Sequence, residues 1–205
     1  MDKLQEKSIR LIIDTAIKSF ANGFELRHNA EVDDPNGTIN SKKNNCFISV
    51  LGDEFIFYSA FVRSFDSSFG NLLESLGNQI AKFSYKTDRT IHSYILTEQT
   101  QHISNLLDKY EDHICTPAKS HYENFFVLPP KNFASFTTQH ICDNWFFDEK
   151  SKTHYLVELK AGGDLDNKKA KSEKLALLKE YFMLKNIIPQ DENILIYFAT
   201  AYNKF

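Results

Sequence analysis

The run Tyr155-Leu156-Val157-Glu158-Leu159-Lys160 sets an acid and a base inside an apolar stretch, and this conflict constrains the fold more than any other part of the chain. Its branched and aromatic residues favour a β-strand. A strand has a two-residue period, so Glu158 and Lys160 project from one face while Leu159 points to the other. A buried carboxylate and ammonium are costly as structure. At the edge of a cleft they supply a chemistry: an anionic ligand for a divalent cation and a positive group beside an attacking water, as in metal-dependent phosphodiester hydrolysis. The acid that completes the set is Asp143, which opens the run Asp143-Asn144-Trp145-Phe146-Phe147. The polar stretch from Asp148 to Thr153 suits a turn, so the sequence predicts a β-hairpin with Asp143 on its first strand and Glu158 on its second. Asp148 is a rival for the first acid, but it falls where the hairpin turns.

Taken alone, Asp…Glu-x-Lys is a common pattern. Its apolar flanks, and the sequence Ala161-Gly162-Gly163-Asp164-Leu165-Asp166-Asn167-Lys168-Lys169-Ala170 that follows, set it apart. From Asp143 to Leu184 the chain resembles the catalytic motif of the PD-(D/E)xK nuclease superfamily, and Glu158 to Ala170 is similar to the TdeIII-like type II restriction endonucleases. A weaker likeness covers Arg63-Ser64-Phe65-Asp66-Ser67-Ser68-Phe69-Gly70. Cys142 stands where the superfamily name has proline, a position at which that proline is often absent.

The resemblance implies an α/β fold: a restriction-endonuclease-like core, with a mixed β-sheet flanked by helices, and an N-terminal helical region. It implies a type II site-specific deoxyribonuclease that uses Mg²⁺ to cut double-stranded DNA at a short, GC-framed palindrome. Asp143, Glu158 and Lys160 would be catalytic, with the metal on Asp143, Glu158 and the backbone carbonyl of Leu159. Glu74 is a further candidate ligand, since superfamily members often carry an acid on a helix beside the metal; the alternative is an exposed helical Glu. Lys168 and Lys169 are expected at DNA phosphate or on a solvated helix start, and Arg63 at phosphate or paired with a surface acid. Cutting both strands of a palindrome implies a homodimer, with a cognate DNA methyltransferase as system partner and no direct contact. Two other readings stay open: another nuclease of the superfamily (repair, junction-resolving or nicking), and a non-catalytic DNA-binding module of the same fold.

The 205 residues fit one domain, 1–205, in which 1–130 is mainly helix and loop and 131–205 carries the catalytic hairpin, a helix and a strand. The chain stops soon after that strand, where a family enzyme is expected to continue, so C-terminal truncation is compatible with it. The net charge of −3 excludes a generic polycation, yet between Lys150 and Lys174 seven lysines (150, 152, 160, 168, 169, 171, 174) face four acids (158, 164, 166, 173), a local basic excess. Cys46, Cys115 and Cys142 have no metal-ligand spacing, and the histidines are scattered, so zinc is not expected. No apolar run spans a bilayer, and the N-terminus lacks a signal-peptide core, which makes the cytoplasm the expected site.

Apolar spacing predicts a helix from residue 3 to about 22, stopped by Asn22-Gly23. A loop is expected from Asn29 to Asn45, and Phe47 to Leu51 fits either a strand or a buried loop. Glu54 to Lys82 reads as one or two helices, and Ile103, Leu106, Leu107 and Tyr110 are in helical register. Pro129-Pro130 breaks the chain ahead of the hairpin. Gly162-Gly163 should end the second strand, Ser172 should cap the next helix, and Ile194 to Ala199 should form a central buried strand.

Overall fold

A computed structural model describes residues 2–127, 137–162 and 167–201, with the backbone alone described at 167 and 168. The chain divides into two compact units, Met1–Phe83 and Ser84–Phe205.

The first unit is helical: α1 (Lys3–Asp33), α2 (Thr38–Lys43), α3 (Cys46–Ser49) and α4 (Asp53–Ala81). Asp2 starts α1 by accepting from the Gln5 amide at 2.7 Å while the Gln5 side chain accepts from the Asp2 amide. Against expectation, Asn22-Gly23 does not end this helix. A glycine inside a helix costs only about 1 kcal/mol relative to alanine, and Phe20, Phe24 and His28 continue one apolar line across it. Phe24 meets Phe61 at 5.1 Å and Phe65 at 5.6 Å between ring centroids, and His28 meets Phe57 at 4.7 Å. The expected loop therefore shrinks to the turn after Asp33, where Asn40 Nδ2 donates to the Asp34 and Val32 carbonyls, and α2 occupies much of the rest. Phe47 to Leu51 is neither strand nor buried loop but a short helix and a turn. Gly52, at φ 86°, supplies the left-handed residue that starts α4, and α4 is one continuous helix.

The second unit contains β1 (Lys86–Ser93), α5 (Thr97–Glu111), α6 (Ser120–Glu123), β2 (Thr138–Asp148), β3 (Thr153–Lys160), α7 (Asn167–Lys185) and β4 (Asn193–Thr200). The sheet order is β1-β2-β3-β4; the first two pairings are antiparallel and β3 runs parallel to β4. Parallel neighbours need a crossover, and α7 provides it. This helix packs on β1, β3, β4 and α5, and the core forms between them around Ile91, Ile103, Leu156, Phe182 and Leu184. The result is the expected α/β architecture, a mixed sheet flanked by helices.

The hairpin also forms as expected, with pairs from Asn144–Val157 to Asp148–Thr153 and a turn closed by Lys152 at φ 49°. Three expectations change. The strand β1 was not anticipated, because Lys86-Thr87-Asp88-Arg89-Thr90-Ile91-His92-Ser93 lacks a clear apolar alternation. Ser172 lies inside α7 rather than at its cap, its hydroxyl donating to the Lys169 carbonyl at 2.9 Å. Among the described residues β4 is an edge strand, not a central one, with Tyr197 49% and Phe198 41% exposed. Pro129-Pro130 and Gly163 lie outside the described residues. No described helix is long and apolar enough to cross a membrane.

Candidate active site

Asp143 is delivered by an irregularity in β2. Between the pairs Asp88–Trp145 and Thr90–Ile141, residues 142–144 of β2 lie opposite Arg89 alone, which makes a bulge. Bulges bend a strand and re-aim its side chains. The buried Cys142 thiol donates to the Arg89 carbonyl at 3.4 Å, and Asn144 Nδ2 donates to the Val157 carbonyl at 3.4 Å, so both neighbours of Asp143 are tied to adjacent strands. Just past the last pair, Asn144–Val157, the Asp143 carboxyl hydrogen-bonds with that of Glu158.

Glu158 is 5% exposed, on the same strand face as Leu156, which packs against α7. Burial pushes its carboxyl up to about 7 against the pull of the Lys160 ammonium, and the charge of Asp143 and a hydrogen bond with it push the same way. The Asp143 carboxyl therefore opposes ionisation of Glu158. Lys160 sits between two acids, in an ion pair with Glu158 and 3.1 Å from Glu173. Burial alone would lower its pKa, but the hydrogen bonds and charges of Glu158 and Glu173 outweigh burial and raise it. Lys160 is thus a held cation rather than a base.

α7 brings two further acids that the sequence reading did not single out. Glu173 pairs with Lys160, and Glu180, two turns further along the same helix face, is 4% exposed and shares a hydrogen bond with His140 Nε2 at 3.0 Å. Burial pushes Glu180 up to about 8, with the charges of Glu158, Asp143 and Glu173 adding to it. The signal was present in the chain: Glu180 interrupts the apolar run Leu177, Leu178, Tyr181, Phe182, just as Glu158 interrupts its strand.

The other expected residues are scattered. Leu159 is half-buried on β3, and Lys169 is exposed in the first turn of α7; the Lys168 side chain lies outside the described residues. Arg63 is exposed and Glu74 half-buried on α4, in the other compact unit. Asp148 holds the hairpin turn, accepting from the Lys150 amide at 3.0 Å and the Ser151 hydroxyl at 2.8 Å.

Among the described residues no three His, Cys, Asp or Glu side chains are gathered as a metal-holding group. The side-chain donors at the hairpin are the two carboxylates Asp143 and Glu158. That set fits Mg²⁺, which takes hard oxygen ligands, keeps several waters and needs only one or two carboxylates.

No curated protein and no solved structure matches the chain. A family model described as type II restriction endonuclease, HinfI, matches residues 5–205. The match does not extend to the TdeIII-like kinship expected from the motif.

Proposed function

We propose, since this chain belongs to the HinfI family of type II restriction endonucleases, that it hydrolyses both strands of DNA with Mg²⁺ at a short palindromic site, using Asp143, Glu158 and Lys160. The observation that carries this reading is the buried Glu158 carboxyl hydrogen-bonded to Asp143, with the Lys160 ammonium paired beside it. A buried acid raised partly by a neighbouring carboxylate is a site where a divalent cation relieves the repulsion. Asp143, Glu158 and the Leu159 carbonyl would hold Mg²⁺, which when bound would polarise the scissile phosphate and activate water.

The protein's own residues supply the remainder. Lys160, kept protonated by Glu158 and Glu173, orients the attacking water and offsets charge as it builds on the phosphate. Glu173 fixes the ammonium from the helix side. Lys168 and Lys169 lie in the first turn of α7, where unpaired backbone amides also favour anions, and contact DNA phosphate there. On the helical unit, Arg63 is a candidate phosphate contact and Glu74 a candidate metal-binding acid. Residues 1–205 act as one enzyme, which works as a homodimer because a palindrome presents two equivalent strands. It acts in the cytoplasm, where a cognate methyltransferase modifies the same sites without touching it.

The test is to incubate unmethylated plasmid DNA with the protein and Mg²⁺ and to sequence the ends. Breaks on both strands at one fixed palindrome are expected. Digestion progressing from ends, nicks alone, or no breakage would overturn the reading.

A further inference from the structure

The helical unit Met1–Phe83 leaves many large apolar side chains exposed. The buried residues of α1, α2 and α4 are Phe24, His28, Ile39, Ile56, Ala60 and Ala81, few for two helices of 31 and 29 residues. An amphipathic helix buries its apolar stripe against something. The line Phe57, Phe61, Phe65 of α4 meets that need through edge-on ring contacts with Phe20, Phe24 and His28 of α1. A second line does not. Phe55 is 52% exposed, Tyr58 57% and Val62 55%, and just upstream Phe47 is 82%, Val50 81% and Leu51 56% exposed.

Three features identify what covers this face. Residues 55, 58 and 62 follow the three-then-four spacing of a helix seam, so the matching surface is another helix. Six large side chains offering roughly 100 Å² each make about 600 Å², close to the ~800 Å² per partner of a standard interface. The rim is balanced in charge: Lys43 pairs with Asp53 at 3.3 Å, and the exposed Arg63 and Asp66 carry one charge of each sign. A face without net charge suits a two-fold contact in which each copy presents the same patch to the other.

We propose that α3 and the first half of α4, centred on Phe55, Tyr58 and Val62, form the two-fold interface with a second copy of this chain. The two helical hairpins complete a four-helix bundle. This rests on the two-fold assembly of the proposed function but not on its chemistry, so it is tested on the full chain without DNA or metal.

Sedimentation velocity should give twice the chain mass of 23.7 kDa. Tyr58→Asp and Val62→Asp should each weaken the dimer by about 30-fold or more, the scale of a buried interface anchor, with the helical circular dichroism unchanged. Where a charged variant fails to fold, Val62→Cys in a Cys46→Ser, Cys115→Ser background replaces it; a bifunctional maleimide should then yield a covalent dimer. A monomeric wild type overturns the proposal, as does a dimer that neither charge disrupts or that Val62→Cys does not cross-link. A monomer that Tyr58→Asp destabilises would assign the patch to cover by its own chain and likewise overturn it. A dimer disrupted as expected in a protein that does not cut DNA leaves this inference standing and removes the nuclease reading alone.

Discussion

At the scale of single residues, the site is a contest between burial and charge at Glu158. Replacing Glu158 by Gln or Asp143 by Asn removes one of two anionic donors, and cleavage should drop by about 10²–10³-fold or more, a scale typical of lost transition-state charge stabilisation. The thermal midpoint of Glu158→Gln at pH 8 should not fall, because ionising a carboxyl raised to about 7 costs folding free energy there. Asp148→Ala should do the reverse, keeping activity while loosening the turn that Asp148 caps. A dead Asp148 variant beside an active Asp143 variant would move the site to the wrong end of β2. Glu173→Gln should slow cleavage by about 10–100-fold, as for loss of an outer-shell partner, and should shift the alkaline limb of the pH–rate profile downward, since Glu173 helps to keep Lys160 charged. An unmoved limb would reduce Glu173 to a surface acid. Asp143, Glu158 and Lys160 were legible in the sequence because charged residues inside an apolar strand are conspicuous. Glu173 was not, because its partner Lys160 lies on a strand across the crossover.

At the scale of elements, α7 is the organiser of the second unit. Its first turn carries Lys168 and Lys169, its middle carries Glu173 and Glu180, and its last turns fill the core. If the two lysines contact DNA, replacing each by Ala should lower the slope of log affinity against log salt by about 0.9 per contact and leave base preference unchanged. Anisotropy titrations in Ca²⁺, with cognate and scrambled duplexes, would read both. A constant slope would return the lysines to solvent. The helix α1 makes a different point. A side chain at Gly23 would meet no atom within 4 Å, so Gly23→Ala should stabilise the protein by about 1 kcal/mol, measured by urea denaturation. Local pattern located α4, α5, the hairpin and the body of α7. It overlooked β1, whose polar residues are held in the sheet by pairing with β2 rather than by any preference of their own.

At the scale of the whole molecule, the buried acids couple folding to pH. Folding raises Glu158 from 4.5 to about 7 and Glu180 from 4.5 to about 8, so the native state binds more protons than the unfolded chain as the medium becomes alkaline. Stability from these groups is present at low pH and lost as pH rises through the folded values. His140, lowered from 6.5 mainly by burial, gives the opposite slope only toward acid. Without metal, the thermal midpoint should therefore fall from pH 6.5 to pH 8, and Glu180→Gln should flatten the decline. Mg²⁺ should restore stability most at the alkaline end, by about 2.7 kcal/mol at a hundredfold excess over its dissociation constant. A midpoint that rises with pH in the absence of metal would sink this account.

The sequence alone determined which strand carries the acid and base. A two-residue period sets Glu158 and Lys160 on one face whatever surrounds them, and the polar run after Asp148 obliges the chain to turn back and bring Asp143 alongside. Only the tertiary structure decided what those residues feel. The bulge at residues 142–144 is a mismatch of length between two strands 50 residues apart in the chain, and no local preference encodes it. The pressure on Glu158 and Glu180 arises because α7 crosses the sheet and closes off water, and burial belongs to the packed molecule rather than to any residue in it.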